Sequence, residues 1–389
     1  MKHILYFLWI VTALSACQNT KQKEEALPKV SKNIDTSNMQ SIKVAVEDHD
    51  FEELGTVLRT SSYIQLAPEP LLSSIKEIRI EDERIYVHDA TSRIVCYDMQ
   101  GDVIYQIDKK GGGPGEYVGI NQFIINTQSK ELIIYDNLKL SLLHYDLADG
   151  KHLKTESLRK PNPSAIACTE GIYFYDNRYH NNYPNDSALH YSLLVSTNGI
   201  DITERYFAHN QAESAYNFSP SPQPFSYNNA SIYYCRNFDN RVYRLSSKGL
   251  EAMYQIDLPN PLPFSQIENK ADPRELMQSN YSVGLEQIYQ CGVLLHFQFF
   301  KDGFLQTALY DLSKKKQIYC GRKMEDKTHR SVPLFCLIDG VYQGRFFGIL
   351  TPETIDYEQT NRGDDLPEIF RRYKPESENP IIAFYEIIR

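Results

Sequence analysis

A glycine that recurs about every 49 residues constrains the fold of this chain more than any other feature. Gly101, Gly150, Gly199 and Gly249 are separated by 49, 49 and 50 residues. Each follows or precedes Asp, Asn, Ser or Lys in a short turn, where glycine tolerates a positive φ. A fifth copy of this turn, residues 310–315, has no glycine. A regular period of this length indicates that the chain is built from structural repeats.

A short apolar and aromatic segment with the composition of a strand precedes each turn. Its six copies are residues 85–89, 132–136, 171–176, 231–235, 294–299 and 345–350. The chain is rich in tyrosine, which favours strands, and only residues 272–279 have a helical pattern. Four-stranded units that repeat in this way are typical of a β-propeller. The sequence therefore predicts an all-β, six-bladed β-propeller over residues 51–389.

The last repeat is one strand short, which predicts how the ring closes. Residues 381–388 supply its third strand, and the chain then ends. Residues 57–66 precede the first repeat and have the pattern of a strand. We expect this N-terminal strand to join the last blade, because such a closure removes exposed sheet edges.

The N-terminus is typical of an exported bacterial lipoprotein. A basic residue is followed by an apolar run over residues 4–14, which is too short to span a bilayer. Residues 14–17 resemble the bacterial lipobox, so we expect a signal peptide over residues 1–16 and lipidation of Cys17. An ordinary signal peptide with a chance cysteine is the alternative. Residues 17–50 are mostly polar and predict a flexible tether.

The same segment predicts the location of the protein. A lipid on Cys17 makes the membrane a partner through its anchor, and Gln18 favours the outer membrane over inner-membrane retention. Both a periplasmic and a surface-facing orientation are open. The net charge of −9 argues against nucleic acid as a partner, since such binding needs a basic surface. The six other cysteines form no C-x-x-C pair, and most lie in apolar strands, where buried thiols are expected.

The most distinctive segment is the glycine loop, residues 111–117, which reads Gly-Gly-Gly-Pro-Gly-Glu-Tyr. It resembles the G-x-G-P-G-E-Y signature of Bacteroidota-type six-bladed β-propeller lipoproteins, which are similar to NHL-repeat propellers. The resemblance covers roughly residues 50–389 and implies a fold and an envelope location but no activity. We expect Gly111, Gly113, Pro114 and Gly115 to be structural, in a tight crossing between blades where Glu116 bonds turn amides. A nest of amides that binds an anion is the alternative.

The long connections of the predicted propeller all open on one face. They are residues 176–190, 209–224, 259–282 and 351–379, and the glycine loop opens on the same side. Long loops on a rigid scaffold are common binding sites. The predicted ligand-binding residues are Glu116, Tyr117, Tyr179, Asn182, Tyr183, Arg371, Arg372 and Tyr373. Aromatic and amide groups suit a glycan or peptide, and arginines suit a carboxylate or phosphate. Alternatively, these loops only cover the face.

No known catalytic motif is present, so no catalytic residue is assigned. His88, His144 and His296 lie in repeat strands and are expected to be packed. Asp89, Asp136 and Asp176 end corresponding strands and are expected to bond their own turns. We predict no cofactor and no metal ligands. Calcium is the one open case, through Glu116, Asn121 and Asp136.

These observations favour a non-enzymatic ligand-binding or protein-interaction propeller of the outer envelope. Its ligand or partner would be a glycan, a peptide or an envelope protein. The alternative is a propeller hydrolase or lyase that acts on a polysaccharide or lactone, with or without a divalent cation. The binding hypothesis needs aromatic and arginine side chains at the channel mouth. The enzyme hypothesis needs carboxylates that converge inside the channel.

Overall fold

The computed structural model describes residues 34–46, 52–158, 161–178, 189–214, 223–229, 231–269, 271–322 and 338–388. The expected signal peptide and Cys17 lie outside the described residues, as do Tyr179, Asn182 and Tyr183. Strands dominate the described part of the chain, so the all-β prediction is confirmed.

Four separate sheets have four antiparallel strands each. The first three are consecutive in the chain: β3 (Ile75–Glu81), β4 (Arg84–Asp89), β5 (Ile94–Asp98) and β6 (Val103–Ile107); β7 (Gln122–Asn126), β8 (Glu131–Asp136), β9 (Ser141–Asp146) and β10 (His152–Ser157); β11 (Ala165–Thr169), β12 (Ile172–Asp176), β13 (Tyr191–Ser196) and β14 (Ile202–Ala208). The fourth contains β19 (Val283–Cys291), β20 (Leu294–Lys301), β21 (Phe304–Asp311) and β22 (Lys316–Gly321).

The fifth sheet has nine strands. Their spatial order is β1 (Gln40–Lys43), β18 (Gly249–Asp257), β17 (Arg241–Ser246), β16 (Ser231–Cys235), β15 (Phe225–Asn228), β23 (Gly340–Tyr342), β24 (Arg345–Leu350), β25 (Ile381–Ile387) and β2 (Leu58–Gln65). Its pairs are antiparallel except at β1–β18 and β15–β23, which are parallel.

The prediction of a six-bladed propeller is wrong, although the β-propeller fold itself is found. The hydrogen bonds define four separate four-stranded blades and the nine-stranded sheet. A single parallel pair, Asn228 with Val341, joins the two halves of that sheet. A sequence period counts strands and turns but does not show hydrogen bonds between the first strands of different repeats. Strand β2 pairs with β25 at the edge of the nine-stranded sheet and does not complete a separate sixth blade.

The periodic glycine turns are present where the sequence predicts them. Gly101, Gly150, Gly199 and Gly249 all have a positive φ, from 70° to 112°. At Gly101 a Cβ atom would lie only 2.1 Å from the carbonyl oxygen of Gln65, so no other residue fits without a shift of backbone. This contact places the first glycine turn directly against the end of β2.

The hydrophobic core lies between the faces of neighbouring sheets. Tyr86 on β4 packs in one cluster with Phe123 on β7, and Val87 on β4 packs in another with Phe347 on β24. Successive residues of β4 thus point to opposite faces of their sheet and pack against different neighbouring sheets, as the two-residue period of a strand requires. Burial of each such large apolar side chain stabilises the fold by roughly 1.5–3 kcal/mol.

Helices occur in the connections between strands. They are α1 (Glu52–Val57), α2 (Gln211–Ser214), α3 (Phe264–Glu268), α4 (Pro273–Gln278), α5 (Pro352–Arg362), a 3₁₀ turn (Gly363–Asp365) and α6 (Glu368–Arg371). The predicted helix near residues 272–279 is confirmed as α4, where Asp272 caps the N-terminus through the amide of Arg274. Helix α5, capped by Thr351, was not expected. Within the described residues, no helix has the length and apolar character needed to cross a membrane.

Part of the segment expected to be a flexible tether is ordered against the propeller. Strand β1 pairs in parallel with β18, from Gln40 opposite Tyr254 to Lys43 opposite Asp257. Ile42 and Val44 are buried in the cluster that β18 and β20 share. The short alternating pattern around Ile42 was hidden by the polar composition of its surroundings.

Candidate functional site

The glycine loop is held together by its own hydrogen bonds. The Gly111 amide donates to the Tyr117 carbonyl at 2.8 Å, and the Tyr117 amide donates to the Lys109 carbonyl at 3.0 Å. Gly115 has a φ of 70°, and a Cβ there would lie 2.7 Å from His152 Cγ. Pro114 lies between the two glycines, Gly113 and Gly115, whose backbones turn the loop. The segment thus forms a tight crossing between β6 and β7.

Glu116 and Tyr117 are both engaged within this crossing. Glu116 Oε2 accepts a hydrogen bond from the Gly113 amide at 2.7 Å, which is the contact that the structural interpretation expects. The Tyr117 ring is fully buried, and its hydroxyl donates to the Ser92 carbonyl at 2.8 Å. The Lys109 amide donates to the same hydroxyl at 3.1 Å. Neither side chain lines the large cavity between the first strands of the repeats.

The second predicted cluster lies on α6 and the residues that follow it. Arg371 and Arg372 are exposed, and Arg372 pairs with Glu368 one turn earlier. Tyr373 is buried, and its hydroxyl lies 3.0 Å from each of the Glu378 and Asn379 carbonyl oxygens. Arg372 and Tyr373 share a small pocket of about 270 Å³. The structure thus brings these two residues together, away from the glycine loop.

The strand-end aspartates mostly serve their own turns. Asp89 Oδ1 accepts from the Thr91 amide and hydroxyl, and Asp136 Oδ1 accepts from the Leu138 amide. The turn-capping prediction is confirmed at these two positions. Asp176 accepts from Arg178 Nε at 2.6 Å within its own connection, and also from the hydroxyls of Tyr234 and Ser164 outside it.

The residues proposed for calcium point to different partners. Asn121 Nδ2 donates to the Ser164 carbonyl, Glu116 caps the glycine loop, and Asp136 caps its own turn. Among the described residues, no group of three or more His, Cys, Asp and Glu side chains is arranged to hold a metal ion. The five described cysteines are buried, and none forms a disulfide with another described residue.

A large cavity of about 1420 Å³ lies between the first strands of the repeats. Side chains and backbone of β3, β7, β11, β15, β19 and β23 line it. The start of α5 and the segment before β25 also contribute lining residues, including Thr351 and Glu378. The volume is larger than most sites for small molecules. The cavity is therefore the strongest candidate for a functional site in the described part of the chain.

Acidic side chains outnumber basic ones around this cavity. The basic residues in the lining are Lys76 and Arg79. The acidic residues are Glu77, Glu81, Asp89, Glu170, Asp339, Glu353 and Glu378. Low-dielectric walls concentrate the field of such a charge surplus. The cavity therefore favours cations over anions.

Arg79 crosses from β3 towards the opposite side of the cavity. Its guanidinium carbon lies 3.4 Å from the ring centroid of Tyr227 on β15 and 5.0 Å from that of Phe123 on β7. Arg79 Nε donates to Glu77 Oε1 at 2.8 Å, and Nη2 donates to the same oxygen. Because Arg79 is only 7% exposed, this ion pair and the two aromatic contacts hold it in place.

Asp339, just before β23, is the most perturbed carboxyl group of the cavity. Burial raises its pKa to about 7, and a hydrogen bond from the Ile349 amide to Oδ2 at 2.8 Å lowers it by less. Asp339 forms no ion pair with any described residue. A carboxyl group that is desolvated in a cavity without a cationic partner is a candidate functional group.

Tyr289 and His88 complete this part of the lining. Tyr289 is 9% exposed, and its raised pKa arises first from burial and then from the charges of Asp339 and Glu77. His88 is 5% exposed and lies opposite Glu77 in the β3–β4 pairing. Burial lowers the His88 pKa, so its ring is neutral at pH 7. Neither side chain forms a hydrogen bond with a described residue, and both face the cavity.

Sequence reasoning missed these cavity residues for two reasons. The Asp-Gly pair at residues 339–340 has the composition of a turn, but Gly340 begins β23 and the turn lies at Gln343 and Gly344. Glu77 and Arg79 alternate with apolar residues on β3, as in an ordinary exposed strand. The alternation of charge in the first strand of a repeat was the available signal.

Comparison with known proteins supports the fold. The model of the DUF4934 family, a domain of unknown function, matches residues 46–386. A crystal structure of a candidate exported protein from Bacteroides fragilis is 18% identical, with a TM-score of 0.74 over 90% of this chain and 99% of that one. A DUF4221 family member from Bacteroides vulgatus is 9% identical, with a TM-score of 0.47 over 86% and 99% of the two chains. No curated protein matches the chain.

These matches agree with the coarser part of the resemblance drawn from the glycine loop. A Bacteroides protein shares the propeller arrangement, and a family model covers the same region of the chain. At 18% identity the structural likeness shows the fold alone.

Proposed function

The chain belongs to the DUF4934 family, and we propose that it is a non-enzymatic binding propeller of the cell envelope whose ligand enters the central cavity. The observation that carries the proposal is the cavity of about 1420 Å³, whose lining includes buried polar atoms without hydrogen-bond partners among the described residues, Ser73 Oγ and Gln287 Oε1. Buried polar groups are rarely left unpaired without a functional reason. A ligand that supplied the missing hydrogen bonds would bind there in preference to bulk water.

The proposed location in the envelope follows from the N-terminal sequence. A basic start, a short apolar run and small residues before Cys17 support export and lipidation. The anchor would hold the propeller at the outer membrane, in contact with glycans, peptides and other envelope proteins. The ligand roles of the outer-loop residues Tyr179, Asn182 and Tyr183 stay predictions.

A variant that fills the cavity tests the proposed site. Ala90 lines the cavity and is exposed, so Ala90→Trp adds bulk to the cavity with little cost to folding. Ala148 is also an exposed turn residue but does not line the cavity, so Ala148→Trp is the matched control. The wild-type domain from about residue 34 would be screened by thermal shift with envelope glycans, peptidoglycan fragments and short peptides.

The proposal predicts that the best stabiliser loses its effect on Ala90→Trp and keeps it on Ala148→Trp. Equal stabilisation of both variants would place the ligand elsewhere and contradict the proposal. A screen with no stabiliser in any class would also count against it, since a ligand at a hundred times its dissociation constant stabilises by about 2.7 kcal/mol.

A second candidate function is hydrolysis or elimination on a polysaccharide or lactone. The observation that favours it is the Asp339 pKa of about 7, which suits a general base near neutral pH. Turnover of lactones or uronate-containing glycans that fell roughly 10²–10⁴-fold in Asp339→Asn would support this function. Turnover that Asp339→Asn left unchanged would exclude Asp339 as the base.

A further inference from the structure

The carboxylates of the cavity lining differ in how well their charges are compensated. Glu77 holds both Nε and Nη2 of Arg79, so the guanidinium and this carboxylate oxygen satisfy each other. Asp339 accepts only the Ile349 amide and has no ion-pair partner among the described residues. Lys76, the other basic lining residue, is exposed. Glu81 and Glu353 also line the cavity without an ion pair to a described residue, and Glu353 is exposed. Asp339 is the lining carboxylate that burial perturbs most, so its charge is the one that a ligand would compensate to the greatest effect.

Two independent observations indicate that a ligand belongs beside this carboxylate. The Tyr289 side chain is only 9% exposed and lines the cavity, and its hydroxyl has no hydrogen-bond partner in the described part of the chain. Tyr289 packs in one cluster with Ile338 and Val341, which flank Asp339, and both Tyr289 and Asp339 line the same cavity. The charge of Asp339 also contributes to the raised pKa of Tyr289, after burial. The His88 ring is equally buried, lines the cavity beside Glu77 and is also unpartnered among the described residues.

We propose that the cavity recognises its ligand through a positively charged ammonium or guanidinium group, which pairs with Asp339 and donates to the Tyr289 hydroxyl. This inference rests on the proposed function, because it names the chemical class that the central cavity takes. The ligand is an organic cation such as a diamine or a basic peptide side chain.

The protonation states of the neighbours favour a donor-rich ligand. Burial raises the pKa of Tyr289 above its ordinary value, so its oxygen stays a neutral phenol with lone pairs to offer. Burial lowers the pKa of His88, so a neutral ring nitrogen is available as an acceptor. An ammonium group has three N–H donors and no acceptor, which complements this set.

An anion is disfavoured by the same arrangement. The one buried cation of the lining, Arg79, already has Glu77 in its plane and the Tyr227 ring against its face. A carboxylate or phosphate would have to displace Glu77 or lie beside Asp339 unpaired, and an unpaired buried charge is strongly unfavourable.

Three five-carbon probes with different charges test the inference by isothermal titration calorimetry. They are cadaverine, pentanediol and glutarate, which are a dication, a neutral diol and a dianion at pH 8. The proteins are the wild type, Asp339→Asn, Tyr289→Phe and the control Asp102→Asn. Asp102 is an exposed turn residue outside the cavity, so its charge is removed without a change in the lining.

The inference predicts that cadaverine binds the wild type at least roughly tenfold tighter than pentanediol or glutarate. Asp339→Asn should weaken cadaverine by roughly tenfold or more, and Tyr289→Phe should weaken it severalfold. Tyr289→Phe keeps the ring that stacks on His296, so a loss there reports the hydroxyl and not the fold. Asp102→Asn should bind like the wild type.

The other outcomes overturn the inference or the proposed site separately. If glutarate or pentanediol binds as tightly as cadaverine and Ala90→Trp abolishes that binding, the cavity remains the site but the preference for a cation is refuted. Cadaverine binding that Asp339→Asn leaves unchanged, or no cadaverine binding at all, also refutes it. Cadaverine binding that Ala90→Trp leaves unchanged would refute the cavity itself.

Discussion

Replacement of Asp339 by asparagine should stabilise the protein at alkaline pH. The carboxyl group is desolvated in the cavity wall, where only the Ile349 amide compensates its charge. Asparagine has nearly the same shape, and its side-chain oxygen can accept the same amide hydrogen bond. The substitution therefore removes an uncompensated charge and leaves the packing in place.

The magnitude follows from the pKa of the carboxyl group. Burial raises the Asp339 pKa from the ordinary 3.8 to about 7. The folded protein therefore keeps a proton that the unfolded chain has lost, and stability falls as pH rises from about 4 to about 7. A pKa difference of one corresponds to about 1.4 kcal/mol, so the rise from 3.8 to about 7 lowers the free energy of unfolding by up to about 4 kcal/mol above pH 7. We expect a gain of about 2 to 4 kcal/mol, since Asp339 is only partly buried.

Urea unfolding at pH 8 and pH 4 measures this gain as the difference between variant and wild type. The difference should be large at pH 8 and fall below about 1 kcal/mol near pH 4, where the folded-state carboxyl is protonated and the unfolded-state carboxyl, with its ordinary pKa of 3.8, is only about half ionised. Asp102→Asn should show no such dependence, because Asp102 is exposed. A variant that is destabilised at pH 8, or a gain that is equal at both values, would refute the account of a desolvated carboxylate. A variant that gains stability and loses ligand binding would show that the charge of Asp339 destabilises the fold but serves binding.

Three further predictions concern other parts of the chain. Gly115→Ala should lower the free energy of unfolding by about 1–3 kcal/mol in a urea titration, because Gly115 has a positive φ and lies close to the His152 ring. Gly112→Ala is the control and should be nearly neutral, because a Cβ atom at Gly112 would lie in open space. Burial lowers the His296 pKa to about 4, so the free energy of unfolding of the wild type should fall by about 3 kcal/mol between pH 6.5 and pH 4. His296→Phe should not show this loss when both proteins are unfolded with urea across the same pH range. Replacement of Cys17 by serine should abolish incorporation of labelled fatty acid, and labelling that persists in the variant would contradict lipidation at this residue.

The sequence predicts the repeat architecture because the repeat depends on local chemistry. The periodic glycines mark turns that need a positive φ, and Gly101 also needs room beside the Gln65 carbonyl. Each short strand is visible as an apolar segment between such turns. The number of separate sheets depends instead on the Asn228–Val341 pair, which joins residues more than a hundred positions apart. No local pattern encodes that contact.

The candidate site was harder to predict, because its residues come from distant strands. Arg79 and Tyr227 are far apart in the chain and meet only across the cavity. The long-loop pattern predicted Arg372 and Tyr373 as ligand-binding residues, and these two residues lie together in a separate small pocket. His88 was expected to be packed, and it is buried, yet its exposed edge faces the cavity. Burial at a channel wall and burial in a core look alike in sequence.

Hydrogen–deuterium exchange with and without cadaverine tests most directly whether the central cavity is the ligand site. The account predicts slower exchange in the cavity wall, above all at the Ile349 amide, which donates to Asp339, and along β3 and β23. If protection is confined to α6 and the residues that follow it, or to the glycine loop, the account is contradicted and the ligand binds at the outer loops.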